Sequence, residues 1–219
     1  MFIIFFGAPG AGKGTQAKIL CQKYNLSHIS TGDILRDAAA HNTPWGLEAK
    51  TRMDQGKLVP DNVMIELIKE VLQRPENASG VILDGFPRTI AQADALIEFL
   101  KAGHQENVVL LFLEVNDDEI VRRLSSRRSC TNCHEIFGAA DVENSNICPI
   151  CKSVDTIFIR EDDREEVVRK RLSIYRANTL PVIDHLRNAV TIETIDALRT
   201  KEDVTADIVS RLDKLSSQS

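Results

Sequence analysis

Gly7-Ala8-Pro9-Gly10-Ala11-Gly12-Lys13-Gly14-Thr15 lies between an apolar run, Phe2 to Phe6, and a helix-compatible segment that continues to Tyr24. Its glycines let successive backbone N–H groups converge, the helix that follows aims its positive end at the same point, and Lys13 adds a mobile charge. Together they form a cradle for nucleotide phosphates. The strict form of the pattern has Ser or Thr directly after the lysine, whereas here Gly14 intervenes and Thr15 follows. A plain glycine-rich turn with an exposed lysine is the competing reading, and the strand before and helix after count against it. A second apolar run, Val81-Ile82-Leu83, ends in Asp84-Gly85-Phe86-Pro87-Arg88. Ligands of parallel sheets bind beyond the carboxyl ends of strands, so Asp84 is expected on the same rim as Lys13. A carboxylate there suits Mg2+, an oxygen-seeking ion that keeps several waters; a turn-forming Asp is the alternative.

Nine of the sixteen arginines fall between Arg122 and Arg176. Arg122, Arg123, Arg127 and Arg128 lead into a cysteine-bearing segment, and Arg160, Arg164, Arg169 and Arg171 lead out of it. The i, i+4 spacing of Arg123 and Arg127 aims both guanidinium groups the same way on a helix, and arginine forks suit phosphate oxygens. Arg164 and Arg169, set among Glu161, Asp162, Asp163, Glu165 and Glu166, read instead as a solvated, paired face. Cys130-x-x-Cys133 and Cys148-x-x-Cys151 are two knuckles, each able to donate two thiolates to a closed tetrahedral Zn2+ site, which supports folding rather than catalysis. Displacement of one cysteine by His134, or four free thiols, stand as alternatives. Cys21 reads as an ordinary buried small residue.

The elements that must position these groups follow from hydrophobic patterning. Strand-like runs occur at Phe2 to Phe6, Val81 to Leu83, Val108 to Val115 and Ala189 to Thr194. The unbroken apolar character of Val108 to Leu113 fits strands covered on both faces. Helix-compatible segments lie at Gly14 to Tyr24, Asp61 to Gln73, Ile90 to Lys101, Asp117 to Arg127 and Asp163 to Arg187, the last with a core-facing stripe of Val168, Leu172 and Tyr175. This alternation predicts a three-layer α/β fold with a parallel sheet. Two excursions interrupt it: a helical stretch between Ser30 and Pro60, and a hairpin-rich lobe between about Arg128 and Arg160. The Ser216 to Ser219 end is expected to be loose.

Across 219 residues, 43% are hydrophobic and 27% charged, which excludes disordered, collagen-like and membrane-spanning classes. The balance of 27 Lys+Arg against 32 Asp+Glu gives −5, which discourages nucleic acid and anionic lipid surfaces, so any anion site must be local. The first apolar run is too short for a signal peptide. A cytoplasmic, monomeric chain with no membrane or nucleic-acid partner is therefore expected.

Taken in order, the phosphate loop with its extra glycine, Ser30-Thr31-Gly32-Asp33 followed by Arg36, Asp84-Gly85-Phe86-Pro87-Arg88-Thr89 with Gln92, and Arg160-x-Asp162-Asp163 followed by Arg169-Lys170-Arg171 resemble the adenylate kinases of the bacterial long-lid, zinc-containing type. The resemblance extends from Phe2 to at least Arg171. It implies a P-loop core (1–29, 60–125 and 163–219), a helical AMP-binding insertion (30–59) and a zinc-containing lid (126–162) that closes over ATP. It implies that Gly10, Ala11, Gly12, Lys13, Gly14 and Thr15 hold ATP phosphates, that Ile136 and Phe137 lie near the adenine, and that Arg199 contributes backbone there. Thr31, Arg36, Lys57, Leu58, Val59, Gly85, Phe86, Pro87, Arg88 and Gln92, together with Arg160 and Arg171, would bind AMP. Arg123, Arg127, Arg160 and Arg171 would surround the transferring phosphoryl group, and Asp84 would hold Mg2+ through waters. The implied reaction is Mg2+-dependent ATP + AMP = 2 ADP. Two other readings stand beside it: a nucleoside monophosphate kinase with another acceptor or with GTP as donor, and a nucleotide switch or zinc-ribbon nucleic-acid binder, against which the acidic balance and 5% aromatics weigh.

Overall fold

A computed structural model of the chain describes residues 1–103, 105, 107–142 and 146–217; half of the terminal stretch expected to be loose, Gln218 and Ser219, lies outside them. Phe2–Gly7 forms β1, buried at every position because both of its faces are covered. It leads through the glycine loop into α1 (Lys13–Tyr24). Next come β2 (Ser27–Ser30), α2 (Thr31–Ala40), α3 (Pro44–Asp54), α4 (Asp61–Leu72), β3 (Val81–Asp84), α5 (Ile90–Ala102), β4 (Val108–Glu114) and α6 (Asp117–Ser126). A small antiparallel lobe holds β5 (Arg127–Cys130), β6 (Ile136–Gly138) and β7 (Ile157–Phe158), and the chain returns through α7 (Glu165–Ile174), α8 (Val182–Leu186), β8 (Thr191–Asp196) and α9 (Lys201–Ser216).

The main sheet is parallel throughout, in the order β2-β3-β1-β4-β8. Successive residues of a strand point to opposite faces, and the core divides accordingly. Phe2, Ile4 and Phe6 pack with Leu83, Leu110 and residues of α4, α5 and α8. Ile3 and Phe5 pack with Ile82, Leu111, Leu113 and the apolar sides of α1 and α9. Each fully buried Ile, Leu or Phe contributes about 1.5–3 kcal/mol, so this two-sided burial is what fixes β1 at the centre of the sheet. Side-chain caps start several helices: Ser30 accepts from Asp33 N, Thr43 from Gly46 N with Pro44 following, Thr89 from Gln92 N, and Asn116 from Glu119 N.

Two expectations need correction. The segment Asp163 to Arg187 is not one helix. Arg164 is extended at φ −63°, ψ 136°, while Asp162 and Asp163 turn inward ahead of α7. Further on, Leu180 N bonds Tyr175 O, five residues back, and Tyr175–Thr179 widens into a π-turn just before Pro181, which has no N–H to continue the ladder. The stripe survives in part: Val168 and Leu172 are buried with Ala8, Ile120 and Leu124, and Tyr175 packs against them. The second correction is β2, Ser-His-Ile-Ser, a four-residue strand with a single apolar residue; β3 beside it supplies the pairing that its composition does not announce.

Candidate active site

All three glycines at the front of the phosphate loop take left-handed or positive φ, with Gly7 at 141°, Gly10 at 83° and Gly12, which caps α1, at 99°. At Gly10 a Cβ would sit 2.8 Å from Leu124 Cγ, so α6 packs directly onto the loop and no side chain fits between. Lys13 Nζ donates to Gly7 O and Ala8 O, each at 2.8 Å. Burial beneath the loop lowers the Lys13 ammonium to about 8; Asp84 opposes that fall, and Arg88, Arg171 and Arg127 add to it. At Gly14 a Cβ would lie 3.5 Å from Asp84 Oδ2. The departure from the strict motif therefore leaves one face of that carboxylate open.

Asp84 ends β3 on the same rim, as its strand position requires. His28, from β2, also lines the cavity, and its Nε2 is buried without a hydrogen-bond partner 3.7 Å from the same oxygen, Asp84 Oδ2. That distance exceeds a direct hydrogen bond and suits a bridging water. A carboxylate with one open face and a polar neighbour waiting for a water fits a hydrated Mg2+, which reaches proteins through one or two carboxylates and its own waters.

Across the cavity the Gly85 to Arg88 turn is held from several directions. Gly85 has φ 86°, and a Cβ there would strike Thr31 Oγ1, which donates to Gly85 O at 3.1 Å; the Phe86–Pro87 peptide is cis. Arg88 Nε donates to Gly85 O at 2.7 Å, and Arg88 O accepts from Thr179 Oγ1 at 2.9 Å. Gln92 is 2% exposed, its Oε1 accepting from Arg88 N at 2.8 Å and its Nε2 donating to Asp61 Oδ1 at 2.8 Å. Both ends of that amide are committed inside the protein. Val59 likewise belongs to the apolar core. These two residues stand behind the cavity wall, while Thr31, Arg36, Lys57, Leu58, Gly85, Phe86, Pro87 and Arg88 form it.

Between the two halves the arginines converge. Arg127 forks onto Asp163 through Nε to Oδ2 at 2.7 Å and Nη2 to Oδ1 at 2.5 Å, Arg171 Nη1 meets Asp162 Oδ2 at 2.8 Å, and Arg160 Nε donates to Ser129 Oγ at 2.9 Å. Burial, then Arg171 and Arg36, lowers Arg88 to about 10; burial, then Arg36 and Arg127, lowers Arg160 to about 10. Burial would raise Asp162, but Arg171, Arg127, Arg36 and Arg160 hold it below its ordinary value. The result is excess positive charge in one enclosure. Arg123, in the same lining, has other partners: its Nε meets Glu119 Oε1 at 2.7 Å and its Nη2 donates to Ala197 O at 2.8 Å, while Arg199 is held by Asp207. Arg164 and Arg169 pair with Glu161 and Glu165 on the surface.

In the lobe, the four cysteine Sγ atoms lie within 4.8 Å of one another, with Cys130–Cys151 at 3.7 Å and Cys133–Cys148 at 3.6 Å. A disulfide would need about 2.05 Å, whereas the edge of a tetrahedron with Zn–S bonds of about 2.3 Å is about 3.8 Å. The four thiols fit a structural zinc site. His134 turns at φ 56° to line the cavity instead.

A single cavity thus joins Gly7, Pro9 through Thr15, Asp84 to Arg88, Arg36, Arg123, Arg127, Arg160, Arg171, Ile136, Phe137 and Arg199. Sequence reasoning missed His28, Asp33, Met53 and Thr179 in its lining, and Asp61 behind it. Asp162 and Asp163 carried a signal as the acids embedded among arginines.

A phosphate loop on a β2-β3-β1-β4-β8 parallel sheet, facing a second arginine-lined anion site, defines a P-loop phosphoryltransferase with two nucleotide substrates. The family model for adenylate kinase matches residues 5–191. Relatives named adenylate kinase include one from Archaeoglobus fulgidus, 43% identical over 99% of this chain and 100% of its own length. Another from Petrotoga mobilis is 42% identical over the full length of both, and one from Caldicellulosiruptor bescii is 46% identical over 85% of this chain and 87% of its own. The chain belongs to the adenylate kinase family, and its reaction is ATP + AMP = 2 ADP with Mg2+ accompanying ATP.

The depressed Lys13 gives a pH signature. A polyphosphate beside the ammonium raises its pKa, so a free enzyme with Lys13 half protonated near pH 8 becomes fully protonated on binding. ATP binding at pH 8 is expected to take up about half a proton, with affinity weakening as pH rises further. Calorimetric titration in two buffers of different ionisation enthalpy reads this; proton release, or equal uptake in Lys13→Met, contradicts it.

Proposed function

We propose that the two faces of the cavity divide the nucleotides between them. The phosphate loop from Gly10 to Thr15 takes the ATP phosphates, with Lys13 leaving its loop carbonyls for the groups being transferred. The wall formed by Thr31, Arg36, Lys57, Leu58 and Gly85 to Arg88 takes AMP, with Arg88 on its phosphate; Val59 and Gln92 act through Leu58 and Arg88, which they fix in place. Arg127, Arg160 and Arg171 neutralise the phosphoryl group in transit. Arg123, tied to the Ala197 carbonyl, stands with Arg199, Ile136 and Phe137 around the ATP base. Bound at Asp84, Mg2+ would supply charge neutralisation on the phosphates. The protein's part is alignment, neutralisation and exclusion of water, since no covalent intermediate is needed.

The single observation that carries this reading is the placement of the phosphate loop and the Arg88 turn on opposite sides of one arginine-filled enclosure. The segments 30–59 and 126–162 act as the AMP-binding insertion and the ATP lid on a core of 1–29, 60–125 and 163–219. Among the described residues no helix is long and apolar enough to cross a membrane, and we infer a cytoplasmic monomer whose partners are ATP, AMP and ADP, without nucleic acid. A coupled ADP-production assay that pairs ATP with AMP, GMP, CMP and UMP in turn tests the assignment. AMP is expected to be the preferred acceptor, and a clear preference for another base would overturn the adenine assignment.

A further inference from the structure

We propose that Lys18 and Glu135 form an ionic latch that positions β6 over the ATP half of the cavity. Lys18 Nζ lies 2.9 Å from Glu135 Oε2, the two side chains 38% and 34% exposed. Each end is rigidly mounted. Lys18 follows Lys13 by five residues on α1, about 7.5 Å along the axis, so the latch and the phosphate cradle share one helix. Glu135 follows the first zinc knuckle and precedes β6; its carbonyl accepts from Cys130 N at 3.0 Å and its amide donates to Cys133. Zinc therefore fixes the acidic partner, and the next two residues, Ile136 and Phe137, line the cavity. Other ion pairs joining 126–162 to the rest among the described residues, such as Arg127–Asp163 and Arg171–Asp162, lie at the base of the lobe. Lys18–Glu135 is mounted away from that base, where a small force has the longest lever.

A half-exposed pair adds little to global stability. Opening of a lobe is a local equilibrium, however, in which a few-fold bias changes the population that binds nucleotide. Being ionic, the bias weakens with salt. The inference rests on the assignment of β6 to the ATP base, so the experiment includes Phe137→Ala as a separate arm.

The test measures KM for ATP and for AMP, with kcat, at low and high salt in Glu135→Gln, Lys18→Met and the double variant. Glu135→Gln removes a negative charge near a polyanion, so a field effect alone lowers the ATP KM. The latch predicts the opposite sign, a rise of about two- to fivefold at low salt that fades at high salt, with the AMP KM unchanged. In the Lys18→Met background the pair is already broken, so the same substitution no longer raises the ATP KM and leaves only the field effect, a KM unchanged or lowered. A lower or unchanged ATP KM in Glu135→Gln, or additive effects in the double variant, overturns the latch. An unchanged ATP KM in Phe137→Ala overturns the β6 assignment and the latch with it.

Discussion

Arg88→Ala is expected to lower kcat/KM by about two to three orders of magnitude while leaving the melting temperature unchanged or raised. The first half follows from position. Arg88 is the arginine on the Gly85 to Arg88 turn, its Nε fixed by Gly85 O and its backbone pinned by Gln92 and Thr179, so the rest of its fork is presented without entropy left to lose. The second half follows from charge. Burial and the neighbouring Arg171 and Arg36 pull Arg88 down to about 10, which means that the folded protein tolerates its charge at a cost. Removing the guanidinium relieves that repulsion, the usual relation between an active-site cation and the stability of its fold. Arg88→Lys keeps a charge without the fork and should fall between the two. Steady-state kinetics and a thermal melt on the same preparations check both halves, and near-normal turnover in Arg88→Ala would remove the AMP-phosphate assignment.

Stripping zinc under reducing conditions, or replacing Cys148 by alanine, is expected to unfold the lobe while the core holds. None of the residues in the three apolar clusters comes from 126–162; among the described residues of the lobe, Val142, Cys130 and Cys148 are its buried apolar side chains. So small a unit needs a staple, and its three short strands bury too little to hold alone. Metal binding then becomes folding free energy for the lobe. Amide exchange should lose protection across β5 to β7 with α4 and α5 unaffected, and the ATP KM should rise by about tenfold or more, since Ile136, Phe137 and Arg160 lose their anchorage. AMP binding, whose wall lies in other elements, should change little. Folded, active protein holding less than about half an equivalent of zinc would sink the structural role.

Much of this was legible because the decisive groups sit at element boundaries that sequence marks strongly. A glycine loop between an apolar strand and a helix leaves few options, and Asp84 needed only the rule that strand ends share a rim. The cysteine spacing specified the zinc ligands because knuckle geometry is local. What escaped was set by tertiary context. β2 forms because β3 offers it a ladder, and His28 reaches the site only because of that pairing. Apart from Pro181 the broken segment after Asp163 reads as helix-compatible, but Asp162 and Asp163 are drawn inward by Arg171 and Arg127. Gln92 was recognised by position, while its commitment to Arg88 and Asp61 depends on α4 lying beside α5.

The π-turn has a consequence for how the chain is made. Thr179 hydroxyl secures the Arg88 carbonyl from 91 residues downstream, Ala197 secures Arg123, and β8 is the last strand to reach the sheet. During synthesis from the N-terminus, the phosphate loop and the Arg88 turn emerge early, yet the Thr179 brace of that turn follows only 91 residues after Arg88. Until then β4 is an open edge and the enclosure lacks its far wall. A product stalled before Thr179 and β8 therefore carries the phosphate-binding sequence without a finished catalytic chamber.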